Sequence, residues 1–115
     1  MSMVGSFNVE AGLPTLDEAR RLVIDEIKRA KRERVKVLKM IHGYGSSGKG
    51  GTLCVGLRKS FGLRKKEGVI KDFIRGEDYS VFNQTVLTLI EAVPKLRRDP
   101  DLNATNEGIG VQWVK

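Results

Sequence analysis

The chain is short of the residues from which many familiar sites are built. It holds one cysteine, Cys54, and one histidine, His42. A single cysteine excludes an intramolecular disulfide framework and a cysteine-rich zinc site. A zinc site on one His and one Cys would need carboxylates to complete it, so zinc is discounted. Cys54 falls among apolar residues of a helical pattern and reads as a small core residue. Aromatics are only 6% of the chain, and the paired aromatics of a ribonucleoprotein motif are missing. Helix-turn-helix and zinc-finger patterns are missing too, so sequence-specific reading of bases is not expected. No apolar run approaches the roughly 18 residues of a membrane span, and no signal-peptide pattern opens the chain. The expectation is a cytoplasmic protein with no membrane partner and an unassigned oligomeric state.

Positive charge is the exception to this scarcity. Against 14 acidic residues stand 21 Lys and Arg, which leaves a net charge of +7 and a pI near 9.8. Such an excess points to an anionic partner, with nucleic acid ahead of acidic lipid or an acidic protein. A solvated basic surface with no partner is the competing reading. A length of 115 residues suits one domain with a core that needs no staples.

Periodicity supplies the elements. Residues 1–6 read as a loose leader before a domain over 7–115, although the alternation of the first strand, Phe7-Asn8-Val9, is compatible with a start at Met3. Thr15, with Glu18 three residues on, forms a capping box, and Leu16, Ala19, Val23, Ile27 and Ala30 mark one buried helix face. The other face carries Arg20, Arg21, Lys28, Arg29, Lys31 and Arg32, densest where cations also complement the helix dipole. Residues 35–41 form an apolar strand suited to the middle of a covered sheet. Leu57 and Phe61 belong to a second helix that Gly62 is expected to end, with Arg64, Lys65 and Lys66 in the following loop. A strand follows over 69–74. Ser80 is expected to cap a third helix carrying Phe82, Val86, Leu89, Ile90 and Val93, closed by Pro94. Ile109, Val111 and Trp113 alternate in a last strand. The order βαβαβαβ predicts a layered α/β domain whose first two strands are parallel.

Between the second strand and the second helix, residues 41–52 read IHGYGSSGKGGT and hold five of the chain's 13 glycines. Each glycine loses more backbone freedom on folding than any other residue, so a cluster suggests that the backbone must approach something closely. Free amides of such a loop and of the following helix start make an anion cradle, to which Lys49 can add a full charge. Gly43, Gly48 and Lys49 satisfy most of a nucleotide-binding P-loop, but Gly50 stands where Ser or Thr would hold magnesium, and Thr52 comes two residues too late. A small-nucleotide binder therefore stays as a lesser alternative.

The run His42-Gly43-Tyr44-Gly45-Ser46-Ser47-Gly48-Lys49-Gly50 resembles the His-Gly-x-Gly motif of the small MutS-related (Smr) domain, at the place where that family has it. The resemblance spans residues 7–74 and the closing strand. It implies an α/β two-layer sandwich, a βαβαβ-type mixed sheet, here with a third helix inserted before the last strand over about 76–107. It also implies nucleic-acid binding, on DNA or RNA, and in many members a metal-dependent endonuclease activity that would call for Mg2+ or Mn2+. The family's Leu-Asp-x-His signature aligns with Phe7-Asn8-Val9-Glu10, where Asn8 replaces the acid and Glu10 the histidine. If those side chains act in relatives, the chemistry here is lost or altered.

The catalytic candidates are therefore His42 and Glu10, which parallel strands would bring to one sheet edge. Together they could activate water or hold a metal. The structural alternative has His42 hydrogen-bonded to a carbonyl, fixing the loop. Candidate phosphate contacts are the loop residues from Gly43 to Gly50, with Lys39, Arg58, Lys59, Arg64, Lys65 and Lys66. Tyr44 could stack on an unpaired base. The rival function is a noncatalytic module that docks on a repair or RNA–protein assembly through the inserted helix.

Overall fold

A computed structural model describes residues 3–9, 14–43 and 49–115, with the backbone alone for 49–54. Glu10, Tyr44, Gly45, Ser46, Ser47 and Gly48, and the side chains of Lys49 and Cys54, lie outside the described residues.

The first helix, α1, spans Leu16–Arg32 and begins as its sequence demands. The Thr15 hydroxyl accepts from the Glu18 amide at 3.2 Å, and the Glu18 carboxylate accepts from the Thr15 amide at 3.1 Å. Two otherwise orphaned amides are thus satisfied. Ala19, Val23, Ile27 and Ala30 form its buried face. The strand before it, β1, spans Val4–Asn8 and so takes in residues 4–6 of the expected leader, because Val4 pairs with Val37 and packs in the core.

Strand β2, Val37–Ile41, pairs with β1 in parallel and with the closing strand β4, Ile109–Val114, antiparallel. Strand β3, Ile70–Arg75, adds to the far side of β4. Among the described residues this gives one mixed sheet in the order β1-β2-β4-β3. Its interior position explains the composition of β2: Leu38 and Met40 face one hydrophobic cluster, Val37 and Ile41 the other. Period-two geometry with helices on both faces requires such a strand.

The second helix, α2, spans Lys49–Lys66 and runs four residues past the expected stop at Gly62. A Cβ at Gly62 would meet nothing within 4 Å. The helix ends instead around Gly68, whose φ of +77° lets the Val69 amide reach back to the Arg64 carbonyl at 2.9 Å. A left-handed residue is what that closure needs, and glycine adopts it without strain. Arg64, Lys65 and Lys66 therefore belong to the last turn of α2 and not to a loop. Gly56 serves packing: a Cβ there would come within 2.5 Å of Leu16, so α1 and α2 meet closely at this point.

The inserted segment covers the second face of the sheet, adding to the α1–α2 layer a partner on the opposite side. It contains the helix α3, Gln84–Ala92, between short 3-10 turns at Gly76–Asp78 and Pro94–Arg98. Asn83, not Ser80, caps α3, accepting from the amides of Thr85 and Val86 at 2.9 and 3.3 Å. The Ser80 hydroxyl is engaged before the helix begins, where it accepts from the Phe82 amide at 3.1 Å. Phe82, expected on the buried helix face, is consequently held outside the helix and is 96% exposed. Val86, Leu89, Ile90, Val93, Leu96 and Tyr79 bury the face formed by Val37, Ile74, Ile109 and Val111. Each such side chain contributes roughly 1.5–3 kcal/mol when fully buried, so the insertion is part of the core. No helix among the described residues is long and apolar enough to cross a membrane.

Candidate nucleic-acid interface

Parallel pairing of β1 and β2 puts the carboxyl ends of both strands at one end of the sheet. The chain leaves β2 there through His42 and Gly43, and re-enters regular structure at Lys49, the first residue of α2. The glycine-rich run thus lies between a strand end and a helix start, the usual ligand position of an open α/β sheet.

The loop is anchored from β4. The Gly108 carbonyl accepts from both the His42 and Gly43 amides, at 2.9 and 3.0 Å, and the Gly108 amide donates to the Asn106 side chain at 2.9 Å. Gly43 has a φ of +71°, a turn that β-branched or bulky residues would strain. This is a physical reason for glycine directly after His42.

His42 is fully buried. Its Nδ1 lies 2.8 Å from the Gly43 carbonyl, which can only accept, so Nδ1 donates there. A Cβ at Gly110 would stand 3.7 Å from Nε2 and 3.3 Å from the Phe61 ring, so both rings pack against the strand at Gly110. Burial pushes its pKa below the ordinary 6.5 and the nearby Arg58 charge adds to this, while the Gly43 and Ile109 carbonyls and the Glu77 carboxylate work against it. The shift favours the neutral ring at the root of the loop.

Two of the expected phosphate contacts, Arg58 and Lys39, have internal partners from the inserted segment. Arg58 makes a two-pronged bond with Glu77, Nη1 to Oε2 at 2.8 Å and Nη2 to Oε1 at 2.5 Å, and Nη2 also reaches the Glu107 carbonyl at 3.4 Å. Burial alone would raise the Glu77 pKa, but these bonds hold it below the ordinary carboxylate value. The pair ties α2 to the start of the insertion beside His42. Lys39, on the inserted-segment face of β2, donates to Asp99 at 2.8 Å and to Asp101 at 2.5 Å. Asp99 also accepts from the Tyr79 hydroxyl at 3.0 Å. Burial favours loss of the Lys39 charge, yet the two carboxylates outweigh it and raise its pKa.

Lys59 is exposed on α2. Arg64, Lys65 and Lys66 are at the far end of that helix, roughly 20 Å along it from the glycine loop, so the structure does not bring them to the loop. Arg64 pairs with Glu67 at 3.3 Å and Lys65 with Asp72 at 3.0 Å. Lys49 and Gly50 begin α2 at the loop itself. Sequence reasoning misses the internal partners of Lys39 and Arg58 because Asp99, Asp101 and Glu77 are 19 to 62 residues away in the chain. The one local signal is a lysine inside an otherwise apolar strand, which needs an anion when covered.

No family model and no curated protein matches the sequence. The structure is similar to the crystal structure of the Smr domain of Thermus thermophilus MutS2, with a TM-score of 0.55 and 16% identity, over 100% of this chain and 95% of that one. At this identity the likeness is one of fold, and the chain has the mixed α/β fold of the Smr domain along its whole length.

Proposed function

We propose that this chain is a nucleic-acid-binding domain whose glycine-rich loop grips phosphate. One observation carries the reading: the loop joins the carboxyl end of β2 to the first turn of α2. Helix-start amides and the positive end of the dipole face an anion from there. The net charge of +7 and the fold shared with the Smr domain support a polynucleotide over a small anion.

Phosphodiester cleavage has less support than binding. The His42 ring is buried, with Nδ1 held by the Gly43 carbonyl at the root of the loop. Among the described residues no three His, Cys, Asp or Glu side chains come together. The partner expected for His42, Glu10, lies outside the described residues.

Binding to single- and double-stranded DNA and RNA, measured from about 50 to 200 mM salt with and without Mg2+ or Mn2+, tests this. Affinity that falls steeply with salt and yields no cleavage products is expected. Tight ATP binding without polynucleotide affinity would overturn it, and products abolished by His42→Ala would restore the nuclease.

A second reading, docking on a protein through the insertion, is favoured by Phe82. This ring is 96% exposed on a turn whose Asn83 amide donates to the Ser80 carbonyl at 3.0 Å and whose Val81 amide donates to Asn103 at 3.0 Å. A bare aromatic on a braced turn, next to a helix with no cation, suits a protein anchor. Loss of partner capture in Phe82→Ala, with nucleic-acid affinity unchanged, would separate the two.

A further inference from the structure

Helices α1 and α2 follow parallel strands and both end at the side of the sheet opposite the glycine loop. The end of β4 lies between them, tied to the α1 exit by a backbone hydrogen bond and next to the end of α2 through Lys115. The Arg34 amide donates to the Lys31 carbonyl at 3.2 Å and the Val114 amide to the Lys36 carbonyl at 2.8 Å, which ties the α1 exit to the end of β4. The Lys115 ammonium then lies 3.5 Å from where a Cβ of Gly68 would stand, and the Gly68 amide donates to the Lys65 carbonyl at 3.0 Å. Lys31, Arg32, Arg34, Lys36 and Lys66 are all exposed here. None of the five makes an ion pair among the described residues. The neighbouring acids are already engaged: Glu33 with Arg29, Glu67 with Arg64, Asp72 with Lys65. Lys39 and Arg58 differ from these five, since internal carboxylates neutralise them.

Arg34 sharpens the point. It has a φ of +58° and closes α1 in the left-handed position, with the Val35 amide bonded to the Ala30 carbonyl at 2.8 Å. Glycine is the unstrained residue for this place. The chain keeps a long cation there against its backbone preference.

We propose that this cationic end is a second contact for the phosphate backbone of nucleic acid, about 25 Å from the glycine loop along α2. The proposal rests on the nucleic-acid reading of the loop and adds a surface that the loop does not supply. Five unpaired cations meet phosphates with no base recognition, so the contact is tolerant of sequence and strongly salt-dependent.

The test compares wild type, Lys49→Gln at the loop, and a five-fold variant, Lys31→Gln, Arg32→Gln, Arg34→Gly, Lys36→Gln and Lys66→Gln. Each is titrated against a duplex of about 20 base pairs and its single strand from about 50 to 200 mM salt, with melting recorded alongside. Wild type binds, and the five-fold variant binds at least about tenfold more weakly at about 100 mM salt. Its slope of log affinity against log salt becomes shallower by about 0.9 for each duplex phosphate that the variant no longer neutralises. Arg34→Gly alone weakens binding without lowering the melting temperature, which separates phosphate binding from helix-end stability. An unchanged slope in the five-fold variant, with Lys49→Gln weakened, overturns this proposal and leaves the loop reading standing. Wild type that binds neither DNA nor RNA overturns that reading and the second contact with it. Binding only to phosphatidylserine vesicles would make this end a lipid-facing surface and overturn the proposal as well.

Discussion

Lys39 Nζ sits 2.8 Å from Asp99 Oδ1, so the one charge on the central strand is neutralised by the inserted segment. The side chains are 14% and 7% exposed, so truncating one leaves the other charged and buried. Lys39→Ala should cost about 3–5 kcal/mol of unfolding free energy. Lys39→Met with Asp99→Asn should recover part of that loss, and chemical denaturation of the four-member cycle measures the coupling. A neutral Lys39→Ala would show that the insertion is not fastened here.

Stability should fall as pH drops through two separate windows. His42 has a lowered pKa in the folded state, so the unfolded chain takes up its proton first. Its contribution is therefore lost as pH falls below about 6.5, the ordinary histidine value. Asp99 and Glu77 are held below the ordinary carboxylate values despite burial, so their contributions persist above roughly pH 4 and vanish below it. Melting curves between about pH 8 and 5 should slope in wild type and flatten in His42→Gln. A slope that survives that substitution would assign it elsewhere.

Arg58 lies between two roles. Its charge depresses the His42 pKa, and removing it also leaves Glu77 free to favour the imidazolium. Arg58→Met should raise the His42 pKa in an NMR titration and cost about 1.5–3 kcal/mol for the broken charged hydrogen bonds. A downward shift would contradict this arrangement of charges.

The two glycines near the end of α2 should respond with opposite signs. Gly62→Ala meets open space inside a helix and should stabilise by about 0.5–1 kcal/mol. Gly68→Ala forces a side chain onto a φ of +77° and should destabilise by about 1 kcal/mol. Thermal melts of the pair locate the helix end; equal signs would misplace it.

Gly76 leaves the least room. A Cβ there would run into the Asn106 carbonyl oxygen, and backbone cannot yield as a flexible side chain can. Gly76→Ala should cost about 3 kcal/mol or more. Gly110→Ala, which asks the Phe61 ring to give a few tenths of an ångström from 3.3 Å, should be milder, measured by the same denaturation.

Local rules carry much of the fold. Thr15 and Glu18 sit three residues apart, so their reciprocal capping is legible, as are the buried face of α1 and the interior character of β2. The ends of the later helices are less so, because Gly62 and Gly68 are equally good caps by composition. Ser80 and Asn83 are likewise equivalent cap residues in one dimension. The choice falls to whichever position the surrounding hydrogen bonds can close, and Phe82 is left exposed as a result.

The chain's own order of residues determined that a glycine-rich loop would lie between a buried strand and a helix, since periodicity and backbone freedom are local properties. It determined the excess of positive charge as well. Where that charge is free was decided only in three dimensions. Asp99, Asp101 and Glu77 return from the insertion to neutralise Lys39 and Arg58, while Lys31, Arg32, Arg34, Lys36 and Lys66 are left exposed with no ion pair among the described residues. Electrostatic pairing depends on distance in space, and separations of 19 to 62 residues conceal it from any reading along the chain.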